Sequence, residues 1–484
     1  MLILTTILAY FCALLAIGRL TSRRSSGNEA FYSGHRRSPW PMVAFGMVGA
    51  SISGVTFVSV PGMALGSGMT YLQMCLGFVP GYLAVAFVLL PIYYRLRLTT
   101  IYGWLADRLG SRSHVTGAAF FLVSKMAGSA VRFYVVCMVL HRFVLAPVGV
   151  PFAATVVAMV GLIWLYTRRG GIRTLVWTDT FQTLCMLVAL ALIVANVVEE
   201  LGMTLPQAAH AIAADGRGRV FVFDDWVSRH NFWKQFLSGA FVVMVMTGMD
   251  QDMMQKNLTC RTLADARKDM CAYGLAFVPV NLLFLSLGVL LAMLAERTGT
   301  PLPPSPDELL PMFAATGRLG DAVVVLFTIG VVAAAFSSAD SALTALTTTF
   351  CVDLVGRPSD EALRRRAHVG MAAAFALFIL AFDAVNGTSA IDAIYVLCSY
   401  TYGPLLGLFA YGLFTRHAVA DRLVPVVCVS SPLLCLALDH AVSSLTGYRF
   451  GYELLMLNGA LTFLGLRLTA SLAHPGKGGS FPTP

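Results

Sequence analysis

Charge is what this 484-residue sequence has least of: Asp, Glu, Lys and Arg make up 12%, about half the roughly 25% usual in soluble domains. Hydrophobic residues reach 57% and the mean hydropathy is +0.74. No aqueous core buries that share of apolar chain, so a soluble enzyme is excluded. The ten cysteines, Cys12, Cys75, Cys137, Cys185 and Cys398 among them, lie in apolar runs with no CxxC pair and no zinc spacing. They read as small core residues. No nucleophile motif, phosphate loop or metal triad stands out, and no enzyme is expected.

What is there is apolar length. At about 20 residues per crossing the chain accommodates about a dozen transmembrane helices. A helix-length window finds thirteen stretches, roughly 2–20, 40–65, 71–94, 115–140, 150–167, 174–198, 235–256, 271–295, 321–349, 368–386, 389–415, 423–444 and 452–470. The first has neither a basic n-region nor a cleavage pattern, and Arg23 and Arg24 follow it. It is expected to be a retained span with its N-terminus outside.

The formal charge of +9 is a topology signal. Clusters such as Arg23/Arg24/Arg36/Arg37, Arg168/Arg169/Arg173 and Arg364/Arg365/Arg366 fall in alternate loops, and roughly 24 of the 34 basic residues lie on that side. Basic residues are retained in the cytoplasm, so the C-terminus is expected inside and no nucleic-acid partner is expected. Two longer outer loops, 199–234 and 296–320, carry Glu199, Glu200, Asp224 and Asp225 in one and PLPPSP in the other. They are expected to cap a vestibule, and the tail from His474 to Pro484 to be disordered.

Ionisable residues inside spans are functional hypotheses by default, because burying charge in hydrocarbon is costly. Here they are Lys125, Arg132, Asp179, Asp250, Asp252, Asp340, Asp383 and Asp392. The second span reads FGMVGASISGVTFVSVPG, where Gly46, Gly49, Gly54, Pro61 and Gly62 weaken the helix and Ser51, Ser53 and Thr56 supply hydroxyls. An unwound helix lining a cavity would offer carbonyls to a hard cation such as sodium; a small-residue packing face is the alternative.

In the ninth span, VVAAAFSSADSALTALTTTF, Ala334, Ser337, Ser338 and Ser341 share one helical face, extended by Thr344 and Thr348, with Asp340 nearby. Hydroxyls and a carbonyl suit sodium rather than a transition metal. Asp179 either neutralises a cation, carries a proton, or is a helix-end residue paired with Arg173. Lys125 and Arg132 share a face. Arg132 is the candidate for an anionic substrate, with a structural partner to a buried acid as the other reading, and Lys125 is free to snorkel.

These stretches, together with the run Pro91–Gly110 (P-x-Y-x-R-L-x-L-T-T-I-Y-G-W-L-x-x-R-L-G), GGIRTLVWTDTFQ ending at Gln182, FSSADS, and MTGMDQDMMQKNL from Met246, resemble the sodium:solute symporter family. Lys256 stands where that family usually has Arg. The resemblance implies an all-α integral membrane fold of the leucine-transporter (LeuT) type, two inverted five-helix repeats over 40–198 and 235–415. Residues 1–39 then form an extra helix and loop, 199–234 an extracellular loop, and 416–484 two further helices and the tail.

It also implies a common sodium site on the carbonyls of Gly49, Ile52 and Ala334 and the hydroxyls of Ser337 and Ser338. A second sodium, bound in some members, would map onto Asp179, Ser337, Asp340 and Ser341. Ser51, Ser53, Thr56 and Arg132 are the implied substrate residues. The expected activity is sodium-coupled uptake of a small organic solute, sialic acid or another carboxylate, by a monomer in the plasma membrane. The alternatives are a proton-coupled carrier of a neutral solute such as a sugar, titrating Asp179 and Asp340, and a transporter-like sensor.

Overall fold

The computed structural model describes residues 2–22, 27–385, 390–448 and 450–470. Arg23, Arg24, the tail from His474 and the side chain of Asp392 lie outside them. All thirteen expected stretches carry helix, and the only other pairing among the described residues is an isolated bridge between Ser38 and Cys260. Among the described residues seven helices are long and apolar enough to cross a membrane: Tyr71–Arg95, Ser111–Leu140, Gly171–Glu200, Leu263–Thr298, Asp321–Leu354, Glu361–Ala384 and Val424–Thr446. Two bent pairs, in the second and seventh spans, bring the number to nine. Four shorter apolar helices, Thr5–Thr21, Phe152–Arg168, Gly403–Phe414 and Leu454–Ala470, occupy the remaining places.

The ninth span is the axle. Its apolar window is 78% buried, against 17% for Val424–Thr446 at the periphery. Its Ala, Ser and Thr residues let neighbouring backbones approach, so it packs against the second, fourth, fifth and sixth spans at once. The fifth and sixth spans run on as Phe152–Glu200, broken at Gly171, whose φ of 49° and ψ of −140° suit only glycine. A Cβ there would sit 2.5 Å from the Phe31 Cα.

The second span is Trp40–Ser51 followed by Gly54–Ser67, bent by 58°. Ile52 leaves the helical region with ψ 81° and Ser53 is extended with ψ 171°. The seventh is Phe232–Gly248 followed by Gln251–Asn257, bent by 68°. Both bends lie in Gly- and Ser/Thr-containing sequence, where helix propensity is weakest.

The outer loops close on the second span. Met69 N–H donates to the Arg217 and Arg219 carbonyls at 3.0 and 3.2 Å. Gly62 lies so close to the Pro306 carbonyl that a Cβ would be 1.9 Å from its oxygen. Arg217 bridges Asp215 at 2.6 Å and Glu296 at 2.8 Å, clipping the 199–234 loop to the end of the eighth span. Its hydrogen bonds hold the Asp215 carboxyl below the usual carboxylate range.

Candidate functional site

A helix break strands carbonyls, because the donors four residues on no longer reach them. In the seventh span two of these carbonyls, on Gly248 and Met249, are satisfied by side chains. Asp250 caps the second half by accepting from the N–H groups of Asp252 at 2.9 Å and Met253 at 3.3 Å. The Tyr93 hydroxyl donates to the Gly248 carbonyl at 2.8 Å and that of Tyr102 to Met249 at 2.9 Å. Gln251 accepts from Ile101 N–H at 2.9 Å and donates to the Thr99 carbonyl at 3.2 Å. The Pro91–Gly110 run is thus a clamp around this break, a role its sequence pattern did not disclose.

The break in the second span is left open. Ile52 N–H reaches the Val48 carbonyl at 3.0 Å and Phe57 N–H reaches Ser53 at 3.1 Å. Between them, no donor among the described residues reaches the carbonyls of Gly49 or Ile52. Gly49 sits against Thr183 of the sixth span, with a Cβ position 1.9 Å from its Oγ1. Gly54 brings the break to the ninth span, its Cβ position 3.5 Å from that of Ala335. The break is thus packed against the sixth span at Gly49 and against the ninth at Gly54, near Ala335.

On that turn the Ser338 hydroxyl donates to the Ala335 carbonyl at 3.0 Å and, more weakly, to Ala334 at 3.3 Å. Ser341, Thr344 and Thr348 donate back along their own helix in the same way, at 3.0, 3.0 and 2.8 Å. Back-bonding spends the hydroxyl proton and leaves the oxygen lone pairs for a cation. No group of three His, Cys, Asp or Glu side chains close enough to hold a metal occurs among the described residues. The donor set at the break is hard oxygen only, which fits sodium.

Between the two breaks is a cavity of about 90 Å³. Ala50 and Ser51 line it at one break and Thr247, Asp252 and Met253 at the other, with Lys125 and Arg132 on the fourth span and Ser338 on the ninth. Tyr82, Tyr273 and Tyr402 complete the polar wall. The Ser51 and Tyr273 hydroxyls are hydrogen-bonded, and Tyr82 donates to Tyr273 at 2.7 Å. Ser53 and Thr56, expected beside the substrate, are buried and do not line the cavity. The three tyrosines were not anticipated; their spacing carries no signal that distinguishes them from core aromatics.

Lys125 does not snorkel. Its ammonium lies 2.6 Å from Asp252 and 3.1 Å from Asp250, and Tyr402 donates to Asp250 at 2.8 Å. The bend of the seventh span brings both carboxylates to the lysine, and a buried charge is tolerated only with such partners. Arg132 is half-buried on the same wall, with no ion pair or hydrogen bond among the described residues.

Asp179 is not paired with Arg173. One oxygen accepts from the Ser337 hydroxyl at 2.9 Å and the other lies 2.7 Å from the Lys256 ammonium. Asp340 accepts from the Tyr166 hydroxyl at 2.6 Å, and its second oxygen is buried with no hydrogen-bond partner among the described residues. The structure thus joins Asp179 to Ser337, while Asp340 turns toward the fifth span.

Two broken helices meeting across a polar cavity are the architecture of a LeuT-type membrane carrier. Residues 31–420 match the sodium:solute symporter family, and the chain belongs to that family. It is a multi-pass membrane transporter, not an enzyme, and sodium is its coupling ion.

The chain is 24% identical over 406 residues to the human sodium/iodide cotransporter, covering 80% of this chain and 61% of that one. It is 23% identical to the sodium/sialic acid symporter SiaT of Proteus mirabilis, covering 87% and 86%. A solved substrate-bound, outward-open structure of a sodium-coupled sialic acid symporter superposes with a TM-score of 0.83 at 18% identity, covering 99% of both chains. The expected fold is borne out by that likeness.

Proposed function

We propose that the protein is a secondary active carrier that couples sodium entry to uptake of a small organic anion. The observation that carries the anion is Arg132. Of the two cations on the cavity wall, Lys125 is already shared by Asp250 and Asp252, whereas the Arg132 guanidinium has no ion pair or hydrogen bond among the described residues. A planar fork of donors facing a half-dry cavity favours a carboxylate. The hydroxyls of Ser51, Tyr273 and Ser129 on the same wall suit a hydroxylated solute such as sialic acid. Relatives named for iodide and for sialic acid both carry anions.

In this proposal sodium is held by the carbonyls of Gly49, Ile52 and Ala334 and the hydroxyls of Ser337 and Ser338. The ion ties the broken second span to the ninth and favours the form that binds solute; solute then favours closure, and opening to the other side releases both. Each net charge that a cycle carries through 100 mV would add about 2.3 kcal/mol, roughly 50-fold in accumulation, to what the sodium gradient supplies. The carrier works as a monomer in the plasma membrane, N-terminus outside and C-terminus cytoplasmic, with 40–198 and 235–415 as its two repeats.

The test is uptake into proteoliposomes under an inward sodium gradient, with sialic acid, short monocarboxylates and neutral sugars as competing solutes. Anions are expected to compete and sugars not to. Arg132→Ala is expected to lose the anion while Arg132→Lys keeps part of it. Preferred uptake of a neutral sugar, unaffected by Arg132→Ala, would contradict the proposal.

A further inference from the structure

The second cation place, expected at Asp179, Ser337, Asp340 and Ser341, does not have the character of an ion site waiting for sodium. Lys256, only 2% exposed, comes from the short half-helix Gln251–Asn257 after the break in the seventh span. Its ammonium lies 2.7 Å from Asp179, and Asp179 offers its other oxygen to Ser337. Both carboxylate oxygens are therefore engaged, one of them by a full positive charge. Asp340, the other acid of the set, is turned to Tyr166 at 2.6 Å.

A mobile cation admitted here would face a fixed ammonium across an interior with little water to screen them. The lysine could retreat only by leaving its own charge buried without a partner. Outside this set, Asp252 and Asp250 are already held by Lys125 at 2.6 and 3.1 Å.

We propose that the Lys256 ammonium is the resident cation of the Asp179 pocket, standing in for a second sodium, so that each transport cycle carries a single sodium. This rests on the sodium site proposed at the second-span break. Because the lysine is tethered, it returns with the protein and contributes no net charge per cycle. For a monovalent anion the cycle is then electroneutral, whereas two sodium ions would make it electrogenic.

Equilibrium binding of radioactive sodium to the purified full-length protein tests this, with Ser338→Ala, Lys256→Arg and Lys256→Gln beside the wild type. The wild type and Lys256→Arg are expected to bind about one sodium with a Hill coefficient near one. Lys256→Gln, which leaves Asp179 uncompensated, is expected to gain a second sodium. Two sodium ions on the wild type, or no gain in a folded Lys256→Gln protein, would overturn the lysine proposal while leaving the first site standing. Sodium binding unchanged in Ser338→Ala would instead overturn the first site. Should Lys256→Gln fail to fold, the wild-type count decides alone.

Discussion

Single side chains divide the labour sharply. Arg132 is the cavity cation without an ion pair among the described residues, and charge-assisted hydrogen bonds contribute about 1.5–3 kcal/mol. Arg132→Ala is therefore expected to weaken anion binding by about 10- to 100-fold, measured by titrating solute against intrinsic fluorescence or thermal stability. Asp179 serves a different purpose. Asp179→Asn strips the partner from a lysine that is 2% exposed, and breaking a buried pair in this way costs about 3–5 kcal/mol. A large drop in the melting temperature is expected, and Asp179→Asn combined with Lys256→Met is expected to recover much of it. If the double variant is no more stable than the single, the pair is not what holds these spans together.

At the scale of the element, two broken helices of similar shape have opposite chemistry. At the seventh span's break Tyr93 and Tyr102 hold the Gly248 and Met249 carbonyls and Asp250 caps the second half, whereas at the second span's break no donor among the described residues reaches the Gly49 and Ile52 carbonyls. Tyr102→Phe strands the Met249 carbonyl and is expected to cost about 1–3 kcal/mol of stability without changing the sodium requirement. Thermal denaturation and a sodium titration on one sample check both halves.

Gly49→Ala is the converse. Its methyl would overlap Thr183 Oγ1 at 1.9 Å, so the second span must shift from the sixth and sodium-dependent uptake should fall. Thr183→Ala in the same protein should restore part of it, and failure to do so would show that the glycine's role is not close approach.

The breaks and the serine stripe were legible because glycine spacing and helical periodicity are local properties of the chain. The partner of Asp179 was not: Lys256 lies 77 positions away and meets it only through the bend of the seventh span. The same holds for Lys125, whose pairing with Asp250 and Asp252 depends on a helix that stops and turns between them. The family resemblance groups Ser53 and Thr56 with Ser51, but the backbone is extended at Ser53 and neither residue lines the cavity that Ser51 lines.

For the whole molecule, the central feature is an enclosed ninth span against which the second span's break is set, with the outer loops fastened over that second span. The Arg217 clip to Asp215 and Glu296 is one such fastening. Because the Asp215 carboxyl titrates below its unfolded value, its contribution is present above the unfolded pKa and is lost as pH falls through the lowered one. Hydrogen exchange of residues 204–231 is therefore expected to be slow at neutral pH and to accelerate relative to the spans once the pH falls below the usual carboxylate range, with Arg217→Ala exchanging fast at both.

The account turns on sodium being held between the bare carbonyls of the second span and the serine pair of the ninth. Its most direct test is the sodium dependence of solute uptake into proteoliposomes, with no pH gradient, for the wild type and Ser338→Ala. The account predicts saturable, sodium-requiring uptake by the wild type and a sodium requirement raised at least tenfold by the substitution, as about 1.4 kcal/mol of lost coordination would give. Equal sodium dependence in the two proteins, or undiminished uptake in sodium-free buffer, would contradict it.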